Sequence, residues 1–134
     1  MTNKELVNSY YQMWNEKDFS KADKICDEDI RFRGSLDITA NGIEGFKEYA
    51  EMLIKAIPNL YHAVEMSICE NNIVATYVTY TGTHEGQLFN HAGTGNRICY
   101  SGASFIHIKN GKITNINILG DLTSLNKQIS EPQK

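Results

Sequence analysis

The stretch Ala103–Leu119, ASFIHIKNGKITNINIL, decides the fold. Asn110 and Gly111 separate two runs that alternate apolar and polar residues, and both tolerate positive φ, which signals a two-residue β-hairpin. A loop of that length predicts Lys109 opposite Lys112, Ile108 opposite Ile113, Ile106 opposite Asn115, Ser104 opposite Asn117, Gly102 opposite Leu119 and Tyr100 opposite Asp121. Opposed residues share a face of the sheet. One face is then expected to carry Tyr100, Ser104, Ile106, Ile108, Asn115, Asn117, Leu119 and Asp121, a mixture suited to a pocket wall. The other carries Ala103, Phe105, Ile116 and Ile118. Both faces hold apolar groups, so the hairpin is expected to be covered twice, by the chain's own helices on one side and by a partner chain on the other.

Upstream of this ribbon the period is helical. Leu6, Tyr10, Met13 and Trp14 form an apolar stripe behind Asn3 as a cap, and Asp18 or Ser20 can cap a short second helix reaching Ile25. Asp29–Gly34 alternates as a brief strand, Ser35–Asn41 reads as a polar loop, and Gly42 opens a third helix striped by Phe46, Tyr49, Leu53 and Ile57. Pro58 ends it. The period then changes to two: Leu60–Cys69 and Ile73–His84 read as strands around Glu70, Asn71 and Asn72. A strict Asn71-Asn72 loop sets Glu65 on the face of Val78, whereas another loop length sets Met66 and Ile68 there; the second is favoured because it groups apolar residues. Residues 85–96 form a Gly- and Asn-rich loop, Leu122–Ile129 a short terminal helix, and Ser130–Lys134 a tail. Helices first and an antiparallel sheet afterwards give an α+β fold. A twisted sheet curling around helices leaves an open end where a ligand can sit.

The length of 134 residues suits one domain, 1–134, with a single core. A net charge of -3, without a basic stripe, argues against nucleic acid and anionic membrane as partners and for a small, neutral or weakly charged ligand. Cys26, Cys69 and Cys99 form no CxxC pair, and the N-terminus lacks a signal-peptide core, so a reducing cytoplasmic location is expected. His62, His91 and His107 lack metal-ligand spacing, and no glycine loop precedes a helix in the manner of a phosphate cradle. No metal and no cofactor are expected.

Several short pieces together carry a family likeness: GIEGF at Gly42–Phe46, IPNL at Ile57–Leu60, TGTHEG at Thr81–Gly86, TG at Thr94–Gly95, NGKI at Asn110–Ile113 and DLTSLNKQI at Asp121–Ile129. Across Asn3–Ile129 the chain resembles the SnoaL-like polyketide cyclases, also called ester cyclases, of the nuclear transport factor 2-like, cystatin-like superfamily. The resemblance implies an α+β barrel with three N-terminal helices packed in a curved antiparallel sheet around a cone-shaped pocket. It also implies that Asp121, ending the last strand, is acid and base in an intramolecular aldol ring closure, with His84 beside it. Relatives often place tryptophan four residues before the aspartate; Asn117 stands there, making a smaller and more polar wall.

Ring closure of this kind removes a proton from carbon next to a carbonyl and later returns one to an alkoxide. A carboxylate in a partly dry hollow can do both, because desolvation raises its pKa toward the working pH. The competing role for Asp121 is the N-cap of Leu122–Ile129, with Ser124 in the cap network. His84 is either a proton partner or a strand-end histidine satisfied by backbone, and Tyr100 either an enolate donor or packing. Asn117 and Ser104, a polar pair facing inward, need a partner, either each other, water or ligand. Tyr10 and Trp14 line the pocket or form core. Three functions follow: a cofactor-independent cyclase; a dehydratase or isomerase using the same Asp and His; and a non-catalytic small-molecule binder. A homodimer through Phe105, Ile116 and Ile118 is expected in each case.

Overall fold

A computed structural model describes residues 1–131. Thr2 rather than Asn3 starts the first helix, α1 (Asn3–Glu16): its hydroxyl accepts from the Glu5 amide while the Glu5 carboxylate accepts from the Thr2 amide. Such a reciprocal cap contributes about 1 kcal/mol, and it outcompetes Asn3 because only Thr2 has glutamate three residues on. Lys17, in the left-handed conformation at φ 58°, ends the helix. A 3₁₀ turn at Phe19–Lys21 and the single-turn α2 (Ala22–Ile25) stand where one short helix was expected, and neither Asp18 nor Ser20 caps it through a side chain. Asp18 instead accepts from the Ser20 hydroxyl.

The strand β1 (Cys26–Arg33) is longer than the predicted stretch, and the polar loop after it contains a three-residue strand, β2 (Thr39–Asn41). Then come α3 (Gly42–Ala56), β3 (Tyr61–Glu70), β4 (Ile73–Thr83), β5 (Arg97–Lys109), β6 (Lys112–Gly120) and α4 (Leu122–Ser130). Ser130 closes α4 rather than opening a tail, and residues 132–134 of the expected tail lie outside the described residues. The six strands form one sheet in the order β2-β1-β6-β5-β4-β3. The sheet is curved and unclosed, which makes the fold α+β of the nuclear transport factor 2-like kind. It is mixed rather than purely antiparallel: β1 runs parallel to β6, with Arg31 opposite Asn115 and Phe32 opposite Ile116.

Both hairpins turn through two residues, Asn71-Asn72 and Asn110-Gly111, and both then slip by one residue. In β3 the slip falls at Glu65, so the loop is the strict one that was disfavoured; Met66 and Ile68 stand opposite Tyr77 and Ala75 on the outer face and are exposed rather than sharing the face of Val78, and the bulge sets Val64, not Glu65, opposite Val78. The slip in β6 falls at Thr114, and it overturns the expected pocket wall. Beyond Thr114, Ile106 faces Ile116, Ser104 faces Ile118, Phe105 faces Asn117 and Ala103 faces Leu119. A one-residue slip sends every later side chain to the opposite face. Ile116 and Ile118 therefore point into the core, whereas Asn117 and Leu119 are exposed with Phe105 on the outside. Burying two isoleucines outweighs keeping a regular ladder, since each full burial is worth about 1.5–3 kcal/mol.

The inner face of the sheet wraps α1 and α3. Val7, Tyr10, Tyr11 and Trp14 on α1 and Phe46, Tyr49, Ala50 and Leu53 on α3 meet Ile30, Val78, Ile106 and Ile116 from the strands in one buried cluster. Among the described residues no helix is long and apolar enough to cross a membrane.

Candidate functional site

Within that cluster the sheet carries an unusual inner row. On β4, Thr76 and Tyr80 alternate in phase with Val74 and Val78; on β5, Ser104 stands opposite Thr76 and Tyr100 opposite Tyr80. Strand alternation thus delivers four hydroxyls to the face α1 and α3 cover. α1 adds Tyr11, whose hydroxyl lies 2.6 Å from Thr76 Oγ1, and Trp14. α3 adds Tyr49, the β1–β2 connection adds Ser35, whose Oγ is 2.9 Å from the Tyr100 hydroxyl, and β3 adds His62. Each of these residues is at most 6% exposed.

The rings interlock. His62 stacks on Trp14 at 4.8 Å and 29° and meets Tyr80 edge-on at 5.0 Å; Tyr80 lies 4.7 Å from Tyr100. Two glycines make room: a Cβ at Gly34 would overlap the Tyr49 ring, and one at Gly102 would stand 2.9 Å from Tyr80. Five polar atoms of the cluster, Trp14 Nε1, Tyr49 Oη, His62 Nδ1, Tyr80 Oη and Ser104 Oγ, make no hydrogen bond of good geometry within the protein, although Ser104 lies close to the Tyr11 and Tyr80 hydroxyls and Ser35 and Leu36 close to that of Tyr49. Leaving a polar group buried and unpaired costs about 1–3 kcal/mol, so such a concentration is a functional-site candidate.

The electrostatics are those of a dry interior. Burial holds the His62 imidazole down to about 3, helped by the nearby Lys17 charge. Burial likewise raises the Tyr49 phenol to about 12 and lifts those of Tyr11, Tyr80, Tyr100 and Tyr10. The Ser104 hydroxyl faces Tyr11 and Tyr80 and partly offsets their rise. At neutral pH the site offers neutral phenols and an indole N–H as donors and one neutral imidazole as donor or acceptor. Thr76, Ser35, Ser104, His62 and, elsewhere, His84 are the buried polar residues among those described; no carboxylate is among them.

Of the residues singled out from sequence, Tyr10, Trp14, Tyr100 and Ser104 lie in this cluster. Asn117 does not: the Thr114 bulge turns it outward, so it neither faces Ser104 nor lines a pocket with it. Asp121 is exposed, and its Oδ1 accepts from the Ser124 amide at 3.2 Å as the N-cap of α4. Its own amide donates to the Ser101 carbonyl, so Asp121 does not stand opposite Tyr100 as expected. His84 is fully buried but serves the loop: Nδ1 lies 2.9 Å from Thr94 Oγ1, while its amide and carbonyl bind Asn96 and Gly95. Desolvation and the neighbouring His91 lower its pKa. Sequence reading missed His62, Tyr11, Tyr49 and Tyr80; the available signal was Thr76 and Tyr80 in step with Val74 and Val78 on one strand.

A model of the SnoaL-like polyketide cyclase family matches residues 4–129. Among curated sequences none matches. A protein from Jannaschia sp. CCS1 assigned as a SnoaL-like polyketide cyclase superposes with a TM-score of 0.90 at 19% identity, over 98% of this chain and 93% of that one. AclR from Streptomyces galilaeus, assigned as a hydroxylase, gives 0.83 at 23% identity over 98% and 87%. A SnoaL-like polyketide cyclase from Agrobacterium tumefaciens gives 0.82 at 16% identity over 97% and 99%. At such identities the structures share a fold, and the family match, which spans nearly the whole described chain, gives the assignment: this protein belongs to the SnoaL-like polyketide cyclase family.

Proposed function

We propose that the chain is a cofactor-independent enzyme of the cyclase type, working by acid/base chemistry on a small uncharged carbonyl compound held in the inner cluster. The observation that carries this reading is the convergence of unpartnered Trp14 Nε1, Tyr49 Oη, Tyr80 Oη, Ser104 Oγ and His62 Nδ1 in one water-poor interior. In this reading His62 takes the part first expected of Asp121, whose exposed carboxylate is engaged in capping.

The imidazole removes a proton from carbon next to a carbonyl, and the phenols of Tyr49 and Tyr80 donate to the enolate oxygen that forms. Their raised pKa values keep them protonated and able to donate. Burial of the empty site disfavours the imidazolium, but an enolate formed beside it makes the pair neutral overall and removes that penalty. The enolate carbon then bonds to a second carbonyl of the same molecule, and the imidazolium returns its proton to the new alkoxide. Because the reacting carbons belong to one molecule, holding them near attack geometry supplies much of the rate. The rings are nearly closed off, so entry requires an element packed over them to move.

Benzoylacetone, an uncharged aromatic 1,3-dicarbonyl, tests the reading. Trp14 is the single tryptophan, so its emission reports binding directly. The wild-type chain is expected to quench on binding and to speed hydrogen–deuterium exchange at the central carbon, with His62→Gln losing about 10²-fold or more of the acceleration. Binding without acceleration would favour the non-catalytic binder. No binding at all would overturn the site.

The reading includes a homodimer through the outer sheet face, with its residues corrected from those expected: Phe105 stays, Ile116 and Ile118 leave, and Met66, Ile68, Tyr77 and Leu119 join. These five are 42–57% exposed, a contiguous patch of the kind that marks an interface. Sedimentation finding only monomer at micromolar concentration would refute it.

A further inference from the structure

β3 is an outer strand of the sheet, so the backbone groups along one of its edges have no strand to pair with. At His62 a side chain takes that place. Asn15, in the last turn of α1, donates through Nδ2 to the His62 carbonyl at 3.0 Å and accepts from the His62 N–H through Oδ1 at 2.7 Å. A carboxamide offers the same donor and acceptor as a peptide group, and here it reproduces one rung of a ladder. Both backbone groups of His62 turn toward Asn15, so the cross-strand pair of His62 with Tyr80 is a non-hydrogen-bonded one, in which side chains approach closely. The adjacent residue, Trp14, supplies the surface on which the same imidazole stacks. Two residues further on, Lys17 Nζ donates to the Leu60 carbonyl at 2.9 Å, holding the strand's entry in place.

We propose that Asn15 is a positioning residue for His62: its amide fixes the backbone from which the imidazole projects and thereby aims Nδ1 into the inner cluster. The inference rests on the reading of that cluster given above, yet it makes a separate demand. The hydrogen bonds of the Asn15 side chain go to the His62 backbone, so its removal should disturb one ring and leave the tyrosines in place. Alanine removes both bonds. Aspartate keeps the acceptor for the His62 N–H but sets a carboxylate oxygen against the His62 carbonyl, and glutamine keeps both functions on a longer arm.

The test uses the full chain with labelled histidine, comparing wild type with Asn15→Ala, Asn15→Asp and Asn15→Gln. In wild type the His62 ring protons carry the ring-current shift of the stacked Trp14. Asn15→Ala is expected to move the His62 resonances toward unstacked values while the three other histidines stay put, and to weaken benzoylacetone binding about tenfold. Asn15→Asp and Asn15→Gln should fall between, and they carry the test if the alanine variant does not fold. Unmoved His62 resonances in every folded variant would overturn the inference and leave Asn15 a stabilising contact only. A wild-type chain that fails to bind benzoylacetone defeats the reading of the cluster instead, and the His62 resonances still decide the role of Asn15.

Discussion

The two faces of the strands β4, β5 and β6 invert the usual arrangement. Inside, among fully buried isoleucines and valines, sit hydroxyls, an indole and an imidazole without partners; outside, in water, stand Tyr77, Phe105 and Leu119. Here each face lacks something different: the inner one lacks hydrogen bonds, the outer one lacks apolar cover. The contrast teaches that alternation along one sheet can leave hydroxyls short of hydrogen bonds on one face and apolar side chains open to water on the other.

The largest way to break the contrast is to shift the ladder beyond the bulge. Deleting Thr114 alone leaves a regular ladder with Ile116 and Ile118 still inside, whereas inserting one residue between Asn115 and Ile116 turns both isoleucines toward water or forces Asn117 and Leu119 inside, so loss of cooperative folding is expected for the insertion and not for the deletion, read by thermal melting. Acid attacks the inner face next. The folded chain holds His62 neutral down to about 3 whereas an unfolded chain protonates it near the ordinary 6.5, so the unfolded state binds more protons between those values. Stability is therefore full above the ordinary value and is lost as pH falls toward the lower one, by up to about 1.4 kcal/mol per unit. His84, also lowered, works in the same direction. Urea midpoints measured downward from neutral should fall in wild type and fall less in His62→Gln.

Tyr80→Phe sharpens the comparison through opposite signs. Deleting an orphaned hydroxyl should stabilise the empty chain by about 1 kcal/mol in urea unfolding while weakening benzoylacetone binding. If stability falls instead, the hydroxyl has a partner in the resting protein and the inner face is more complete than described. Asp121→Asn should do least of all: asparagine caps as well as aspartate, so stability should hold within a few tenths of a kcal/mol and proton exchange of the probe should be unchanged. Loss of exchange in that variant would return the acid/base role to the end of the last strand.

The hairpin turn, the helix stripes and the stop at Pro58 were legible because each depends on neighbours in the chain. Asn110-Gly111 turns the ribbon as read, with positive φ at both residues. The wall built on it failed because a bulge is chosen by burial, which depends on what lies across the sheet. A trace of it was nonetheless present: Ile113 is in one phase of the alternation and Ile116 and Ile118 in the other, and such a phase change marks an inserted residue. The inner cluster was legible only in part. Trp14, Tyr10, Tyr100 and Ser104 lie on elements whose buried phase was read correctly, whereas His62 opens a strand whose register rests on a second bulge, at Glu65, and gains its meaning from Trp14 and Tyr80 on other elements.

The parallel pairing of β1 with β6 also governs the order of assembly. During synthesis β1 leaves the ribosome long before the strand it must lie against, and α1 follows the same timetable, presenting Tyr10, Tyr11 and Trp14 to solvent until the late strands arrive to cover them. Long-range pairing of this sort makes folding slow and leaves the nascent chain a target for aggregation and chaperones until its final ribbon is complete.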